Sequence, residues 1–435
     1  MVASKYIVAI EIESTSEVLL YHTLRTTLIS LPNALYQRLF LRSDYSGNDE
    51  VVKSLTELGF LVDENISEIS VIEKLREVDA AEDSQIITIF STNNCNARCY
   101  YCFEEGIQKN DMTRATAEQI IKFICSYFPY TKLQVQWFGG EPLMAMDIIG
   151  FITEGLRQNG YQLTTHITTN GSYISQEIID FFKRNYESTS FQITIDDIGV
   201  KYANVKRYIN IPKEEAFDHV INSCKLVLKN NLYLSIRINF LPRRFEEAKL
   251  IFSKLYQTFE KCMSKRLRIY MSPITLSEDC SSCSSNEVSS SQFLELLQFQ
   301  YRHNTGRFTS SDDRGQLLQS FYLKPKSSFC GATRKYSLVI TAEGKIYKCH
   351  RFVKYKGDKY IVGDIWKGVD EDKEAYRDFS DTKIKDAQCK NCRALPICQE
   401  GCLAIRKLYG KDRICSMTEK LEECLMMYWE AIQNK

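Results

Sequence analysis

The chain has 435 residues and a formal net charge of +1, a length that suggests about three domains and a charge that gives no electrostatic case for nucleic acid. No run of 18 apolar residues occurs, so no membrane span is expected. No charged n-region leads into an apolar h-region, which argues against a secretory signal. A cytoplasmic location is therefore expected, and there the sixteen cysteines are metal ligands sooner than disulfides.

Residues 1–84 begin with three strand-like stretches, Tyr6–Glu13, Glu17–Tyr21 and Thr27–Leu31, which alternate or run apolar as half-buried strands do. Pro32 opens a helix through Leu35, Leu39 and Phe40. A second helix from Asp49 to Leu58 stops at Gly59, a residue suited to the left-handed position after a helix. Phe60–Asp63 reads as a short strand. Strands followed by helices in so short a stretch suggest a small winged-helix-like unit.

Between about 85 and 275, strand patterns at 86–90, 134–138, 163–168, 191–195, 233–240 and 267–272 alternate with helical patterns near 113–128, 146–158, 173–185, 213–230 and 243–260. Such alternation predicts parallel strands with crossover helices. Cys125 and Cys224 sit on helical apolar stripes and read as core. His166, inside the third strand, reads as a structural histidine.

The first strand runs into Cys95-Asn-Ala-Arg-Cys99-Tyr-Tyr101-Cys102. Three unrelated core cysteines would not follow a strand among polar Asn93, Asn94, Asn96 and Arg98. Three thiolates this close can wrap one metal centre, and three is one short of the four that a 4Fe–4S cluster takes. An incomplete set leaves a position where a small molecule can bind, as in open catalytic metal sites. The second strand, 134–138, ends in Gly139-Gly140-Glu141-Pro142, about 40 residues beyond the cysteines. Paired glycines allow close backbone approach, and a buried Glu can accept from an ammonium group.

The C-x3-C-x2-C spacing with Tyr101 before the last Cys, together with Gly-Gly-Glu after strand two, resembles the radical S-adenosylmethionine (SAM) enzymes. The resemblance implies an α/β fold, a partial (βα)6 barrel with its chemistry at the C-terminal strand ends. It implies a cluster on Cys95, Cys99 and Cys102, and SAM near Tyr101, Gly139, Gly140 and Glu141. It also implies SAM contacts from polar residues at later strand ends: Thr168 and Asn170, then Gln192, Thr194 and Asp196 on one face by period two, then Asn239. The Asp-Gly usual at the fourth strand end is here Asp196-Asp197, which puts that turn in question.

Residues 276–320 read as a polar linker containing Cys280 and Cys283, with a helix over 291–303. In 321–435, Ser337–Thr341 and Lys345–Lys348 flank Glu343-Gly344 as a β-hairpin. Seven cysteines lie in tight spacings from Cys330 to Cys415. The pattern resembles the SPASM domain, which implies two auxiliary 4Fe–4S clusters and so three in all. That family's alternation would give Cys330, Cys349 and Cys402 to one, and Cys389, Cys392, Cys398 and Cys415 to the other, with Cys424 a substitute for Cys415. A structural zinc module is the bland reading of the same Cys-x2-Cys pair.

The N-terminal unit, standing before such a core, resembles the leader-recognition domain of peptide-modifying members, which add a peptide strand to a sheet edge. The expected function is maturation of a ribosomally made precursor peptide through a 5′-deoxyadenosyl radical, most specifically by Cys-to-carbon thioether formation. A carbon–carbon cross-link and formylglycine formation on sulfatases are the rivals within the family, although the latter enzymes resemble this chain with an acidic residue where His350 stands. A non-catalytic iron–sulfur electron carrier is the rival outside it. The expected partners are a leader-bearing peptide and a flavodoxin- or ferredoxin-type reductant, with neither nucleic acid nor membrane.

Overall fold

After a two-residue strand, Val2–Ala3 (β1), the strands Ile7–Ile12 (β2), Glu17–His22 (β3) and Thr27–Pro32 (β4) form an antiparallel meander in the order β2-β3-β4. Helix Asn33–Tyr36 (α1) continues into a π-helical turn, Gln37–Leu41, and Asp49–Glu57 (α2) leads to Leu61–Val62 (β5), which pairs with β1. Gly59 takes φ +85°. The Phe60 N–H bonds Leu55 O and the Gly59 N–H bonds Thr56 O, the paired capping bonds that a left-handed residue permits at a helix end. This computed structural model describes all residues except 13, 47–48, 83, 103, 263–265, 275–288, 305–317, 329, 356, 411–414, 416–419 and 434–435. Cys280 and Cys283 therefore lie outside the described residues.

The chain divides into two compact units, each assembled from separated stretches. One comprises Met1–Glu82, Phe293–Thr333 and Asp381–Lys435; the other comprises Asp83–Gln292 and Arg334–Ser380. In the first unit β3 is apolar on both faces, which is why it reads as an unbroken apolar run. Val18 and Leu20 pack with Leu39, Val52, Leu55 and Phe60. The alternate residues Leu19 and Tyr21 pack with Leu421, Leu425 and Tyr428 of the helix Leu421–Gln433. Cys424 lies in this second core with 0% exposure. Burial pushes its thiol up to about 12.

Helix Glu68–Ala80 (α3) has no counterpart in the sequence reading. Only Ile72 and Asp79 are fully buried along it, so no apolar stripe announces it. Polar bonds hold it instead. Asp79 accepts from the Ser327 and Ser328 hydroxyls at 2.7 Å each, and Glu73 accepts from the Ile384 N–H at 3.0 Å.

In the second unit six parallel strands lie in chain order: Ile86–Thr92 (β6), Lys132–Gly139 (β7), Gln162–Thr169 (β8), Ser188–Thr194 (β9), Tyr233–Phe240 (β10) and Leu267–Pro273 (β11). The crossovers hold Arg114–Tyr127 (α4), Met146–Gln158 (α5), Gln176–Asn185 (α6), Val200–Lys206 (α7), Ala216–Lys229 (α8) and Phe245–Phe259 (α9). Five of these were expected, and α7 was not. The hairpin Ser337–Ile340 (β12) and Lys345–Tyr347 (β13) adds to this sheet, β12 running parallel beside β6. Burial alternates along β8, β9 and β10. Apolar residues such as Ile167, Phe191 and Ile236 are fully buried, while the intervening polar residues form a half-buried face. Cys224 is buried as expected, but Cys125 is exposed, because its position on α4 falls on the solvent side of the apolar stripe.

Candidate active site: the cysteine loop and the strand ends around it

The loop after β6 is pinned by backbone contact with the end of β7. The Gly140 N–H bonds Thr92 O at 3.0 Å and the Glu141 N–H bonds Asn94 O at 2.9 Å. A Cβ on Gly139 would stand 2.2 Å from Thr92 O, and one on Gly140 would stand 2.2 Å from Asn94 O. Gly139 also has φ +123°, open to glycine alone at little cost. The glycine pair thus lets the strand end touch the root of the cysteine loop.

Cys95 and Cys99 are half-buried and Cys102 is exposed. Burial pushes the Cys95 thiol up to about 11, with Glu141, Cys99 and Cys102 adding to the rise as neighbouring negative groups. The Ala97 N–H lies 3.4 Å from Cys95 Sγ and Asn170 Nδ2 lies 3.9 Å from it. Three soft donors on one loop, with N–H groups aimed at a sulfur, suit a thiolate-bound iron–sulfur centre. Among the described residues no three His, Cys, Asp or Glu side chains stand at metal-binding separation.

Glu141 has 0% exposure. It accepts from the Leu143 N–H at 3.1 Å, the Thr169 hydroxyl at 2.7 Å and the Asn170 N–H at 2.7 Å. Burial outweighs these three donors and raises its carboxyl to about 6. The carboxylate thus fixes the turn after β8. In that turn Asn170 Nδ2 donates to Asn96 Oδ1 at 2.9 Å, and Asn96 Nδ2 donates to Ser172 Oγ at 3.0 Å and Asn210 Oδ1 at 2.7 Å. Asn170 therefore faces the cysteine loop directly.

Gln192 and Thr194 lie on the half-buried polar face with Thr168, Arg237 and Asn239. Tyr270 donates to Gln192 Oε1 at 2.7 Å, and Arg237 donates to Asn239 Oδ1 at 2.8 Å and Ser272 Oγ at 3.0 Å. His166 shares a 2.8 Å bond with Ser190, the structural role expected of it. Asp196 is buried; it accepts from the Asn239 N–H at 2.8 Å and from the Tyr101 hydroxyl. Asp197 accepts from its neighbour Ile198 N–H and from Arg244. The positive-φ glycine of this turn comes at Gly199, φ +56°.

Lys206, at the end of α7, was missed. Its ammonium donates to the Tyr101 hydroxyl at 2.9 Å and lies 3.5 Å from Asp196. Burial works to lower its pKa, but Cys99, Tyr101 and Asp196 outweigh that and hold it well above the ordinary lysine value. Lysines are mostly solvated, so nothing local in the sequence singles it out.

Of the later cysteines, Cys349 follows β13 in the second unit, and His350 beside it packs on Phe138 with ring centroids 5.4 Å apart. Cys330, Cys389, Cys392, Cys398, Cys402 and Cys415 belong to the first unit. Asp386 caps the helix Ala387–Lys390 by accepting from the Cys389 N–H at 2.8 Å. Burial, then Asp386, Glu400 and Cys398, push the Cys389 thiol up to about 12. Lys326 is lowered by burial, against the opposing pull of Cys398 and Cys330. Between Cys398 and Cys402 the backbone is left-handed three times running, with φ of +53° at Gln399, +62° at Glu400 and +80° at Gly401. Two non-glycine residues in that region carry strain that the surroundings must over-determine. Arg76 of α3 does so, donating to Gln399 Oε1 at 2.7 Å and Glu400 Oε2 at 3.0 Å. Cys415 is exposed.

Residues 89–252 match the family model described as the Radical SAM superfamily. That stretch is a radical SAM domain, and the chain is an enzyme. A domain of that family implies a 4Fe–4S cluster and SAM. The radical SAM chain is 25% identical over 333 residues to the cysteine-type anaerobic sulfatase-maturating enzyme of Clostridium novyi, covering 72% of this chain and 86% of that relative. It is 22% identical over 272 residues to the radical SAM cyclopropyl synthase TigE of Paramaledivibacter caminithermalis, covering 54% of this chain and 56% of that one. Among solved structures, anSMEcpe with bound AdoMet superposes with a TM-score of 0.61 at 16% identity, over 80% of this chain and 98% of that chain. Streptococcus suis SuiB bound to SAM gives a TM-score of 0.54 at 15% identity, over 94% and 97%. These likenesses show a shared fold. No helix among the described residues is long and apolar enough to cross a membrane.

Proposed function

We propose that this enzyme modifies a ribosomally made precursor peptide, forming a thioether between a cysteine and a nearby carbon. The observation that carries the reading is the N-terminal meander β2-β3-β4 with β4 at its edge. Coverage of this chain rises from 80% against anSMEcpe to 94% against SuiB, and SuiB has been solved with its precursor peptide SuiA. A free strand edge is a ready site for an extended leader peptide.

On this reading residues 1–84 recognise the leader, 85–275 are the SAM barrel, 276–320 a bridge and 321–435 a SPASM domain with two further 4Fe–4S clusters. Cys95, Cys99 and Cys102 would hold the first cluster. Gly139, Gly140, Thr168, Asn170, Gln192, Thr194 and Asn239 would border SAM. Glu141, Asp196 and Tyr101 would shape that site through the turns they fix. The bound cluster and SAM supply the radical that takes hydrogen from an unactivated carbon; the chain supplies orientation and exclusion of water. Cys389, Cys392, Cys398 and Cys415 would carry one auxiliary cluster, and Cys330, Cys349 and Cys402 another, with the fourth position taken either by a substrate thiolate or by Cys280 or Cys283. A flavodoxin- or ferredoxin-type protein would deliver electrons.

Formylglycine formation is the second reading, favoured by the Clostridium novyi sulfatase maturase; the presence of His350, a non-acidic residue, after Cys349 weighs against it. The products separate the two. A thioether makes the peptide lighter by a pair of hydrogens and blocks alkylation of its cysteine, whereas formylglycine reacts with hydrazides. Replacing Cys95, Cys99 and Cys102 with Ala should remove about four irons and all 5′-deoxyadenosine production. Undiminished SAM cleavage in that variant would retire the assignment. Equal affinity for leader-bearing and leaderless peptide would reduce the N-terminal unit to a structural cap.

A further inference from the structure

Tyr6 immediately precedes β2 and has 0% exposure. Its hydroxyl has no hydrogen-bond partner among the described residues, an unfavourable state for a buried polar group. The side chain packs with Ile72, Ile384, Leu395 and Cys389 in one cluster. The backbone around it is tied to both neighbours of Cys392. The Thr23 hydroxyl lies 3.1 Å from Tyr6 O and 2.7 Å from Arg393 O, and Lys5 Nζ donates to Asn391 Oδ1 at 3.2 Å. Burial raises the phenol well above its ordinary pKa; Glu68, then Cys392, add to the rise.

A lone O–H donor is thus buried beside one cysteine of the dense array and braced against the two residues that flank another. Thiolate and sulfide sulfurs are the acceptors this neighbourhood offers once a cluster is bound. We propose that the Tyr6 hydroxyl donates a hydrogen bond to a sulfur of the iron–sulfur cluster held by Cys389, Cys392 and Cys398, so that a residue of the N-terminal unit tunes that cluster. Hydrogen bonds to sulfur are among the levers on cluster potential. Donation stabilises the more electron-rich reduced state, so its removal lowers the potential. The inference rests on the assignment of a cluster to these cysteines.

The test compares the anaerobically reconstituted full-length enzyme with its Tyr6→Phe variant by iron count, redox titration followed by electron paramagnetic resonance, and thermal unfolding of the metal-free chains. Because the hydroxyl has no partner within the protein, metal-free Tyr6→Phe should unfold no earlier than wild type. The holo variant should keep its iron and show one midpoint potential shifted downward, the others unmoved. An unchanged set of midpoints at full iron content overturns the proposal alone. So does a clearly earlier unfolding of the metal-free variant, which would show that the hydroxyl is bonded within the protein. A wild-type iron count of only one cluster overturns the auxiliary-cluster assignment and this proposal with it.

Discussion

The Lys206 ammonium and the Asp196 carboxylate meet 3.5 Å apart with side-chain exposures of 4% and 3%, and both bond the Tyr101 hydroxyl between Cys99 and Cys102. The end of β9 is thereby fastened to the cysteine loop through one aromatic ring. Removing one partner of a buried pair leaves the other charge uncompensated, so Lys206→Met should cost about 3 kcal/mol of folding stability. Asp196→Asn in the same chain should recover part of that loss, a coupling that denaturant unfolding of the double-mutant cycle would measure. Additive single losses would mean that the two charges do not depend on each other.

Gly140→Ala should be far more damaging than its size suggests. The Cβ would meet Asn94 O at 2.2 Å, and a backbone carbonyl cannot swing away as a side-chain tip can. We expect a loss of about 2 kcal/mol or more and depleted iron at Cys95, Cys99 and Cys102. Gly150→Ala is the comparison, since its Cβ would find nothing nearer than Phe181 at 3.8 Å and alanine favours the helix. Equal iron content in both variants would count against the role assigned to the glycine pair.

Arg76→Met should unfold more readily by about 3 kcal/mol, the cost typical of breaking a buried pair, because Arg76 and Glu400 are only 10% and 3% exposed. Arg76→Lys should rescue little, since a single ammonium lacks the guanidinium fork that serves Gln399 and Glu400 together. The strained turn between Cys398 and Cys402 would then relax, and on the proposed ligand assignment the iron content should fall while SAM cleavage persists. Full iron retention in Arg76→Met would show the turn to be self-supporting.

The Glu141 carboxyl is raised by burial to about 6 from an ordinary 4.5. A raised carboxyl pKa contributes stability that is fully present below pH 4.5 and lost as pH rises through 6. The swing is about 2 kcal/mol. Glu141→Gln removes this titration, so the stability difference between wild type and variant should change over that interval and be flat above pH 7. Metal-free protein is the material to use, with urea unfolding as the measurement. Parallel stability curves for the two proteins from pH 4 to 7 would contradict the shift.

Six parallel strands and five crossover helices were legible because apolar period and length separate strand from helix. Gln192 and Thr194 were legible as one face because strand side chains alternate strictly, but the strand ends at Thr194, before Asp196. The misses have physical causes. Helix Glu68–Ala80 buries its Arg76 and Asp79 through ion pairs and hydroxyls, so its inner face does not look apolar. Lys206 matters only through groups distant in sequence. Cys125 sits close enough to an apolar stripe to be taken for core, and a single position around the helix decides otherwise. The three donors to Glu141 come from Leu143, Thr169 and Asn170, partners that only the packed strands reveal.

The meander at the start of the chain shares a core with its last helix, Val8, Leu19 and Tyr21 packing with Leu421, Leu425 and Tyr428. A ribosome adding roughly 5–20 residues per second would therefore expose that apolar sheet face for tens of seconds before its cover exists. The barrel strands, consecutive in sequence, can close in order as they emerge. The meander is covered only once residues 421–433 have been made, and until then its apolar face stays bare. Tyr6 meets Cys389, and Arg76 meets the turn at Gln399 and Glu400, only once residues 1–82 and 381–435 have packed together.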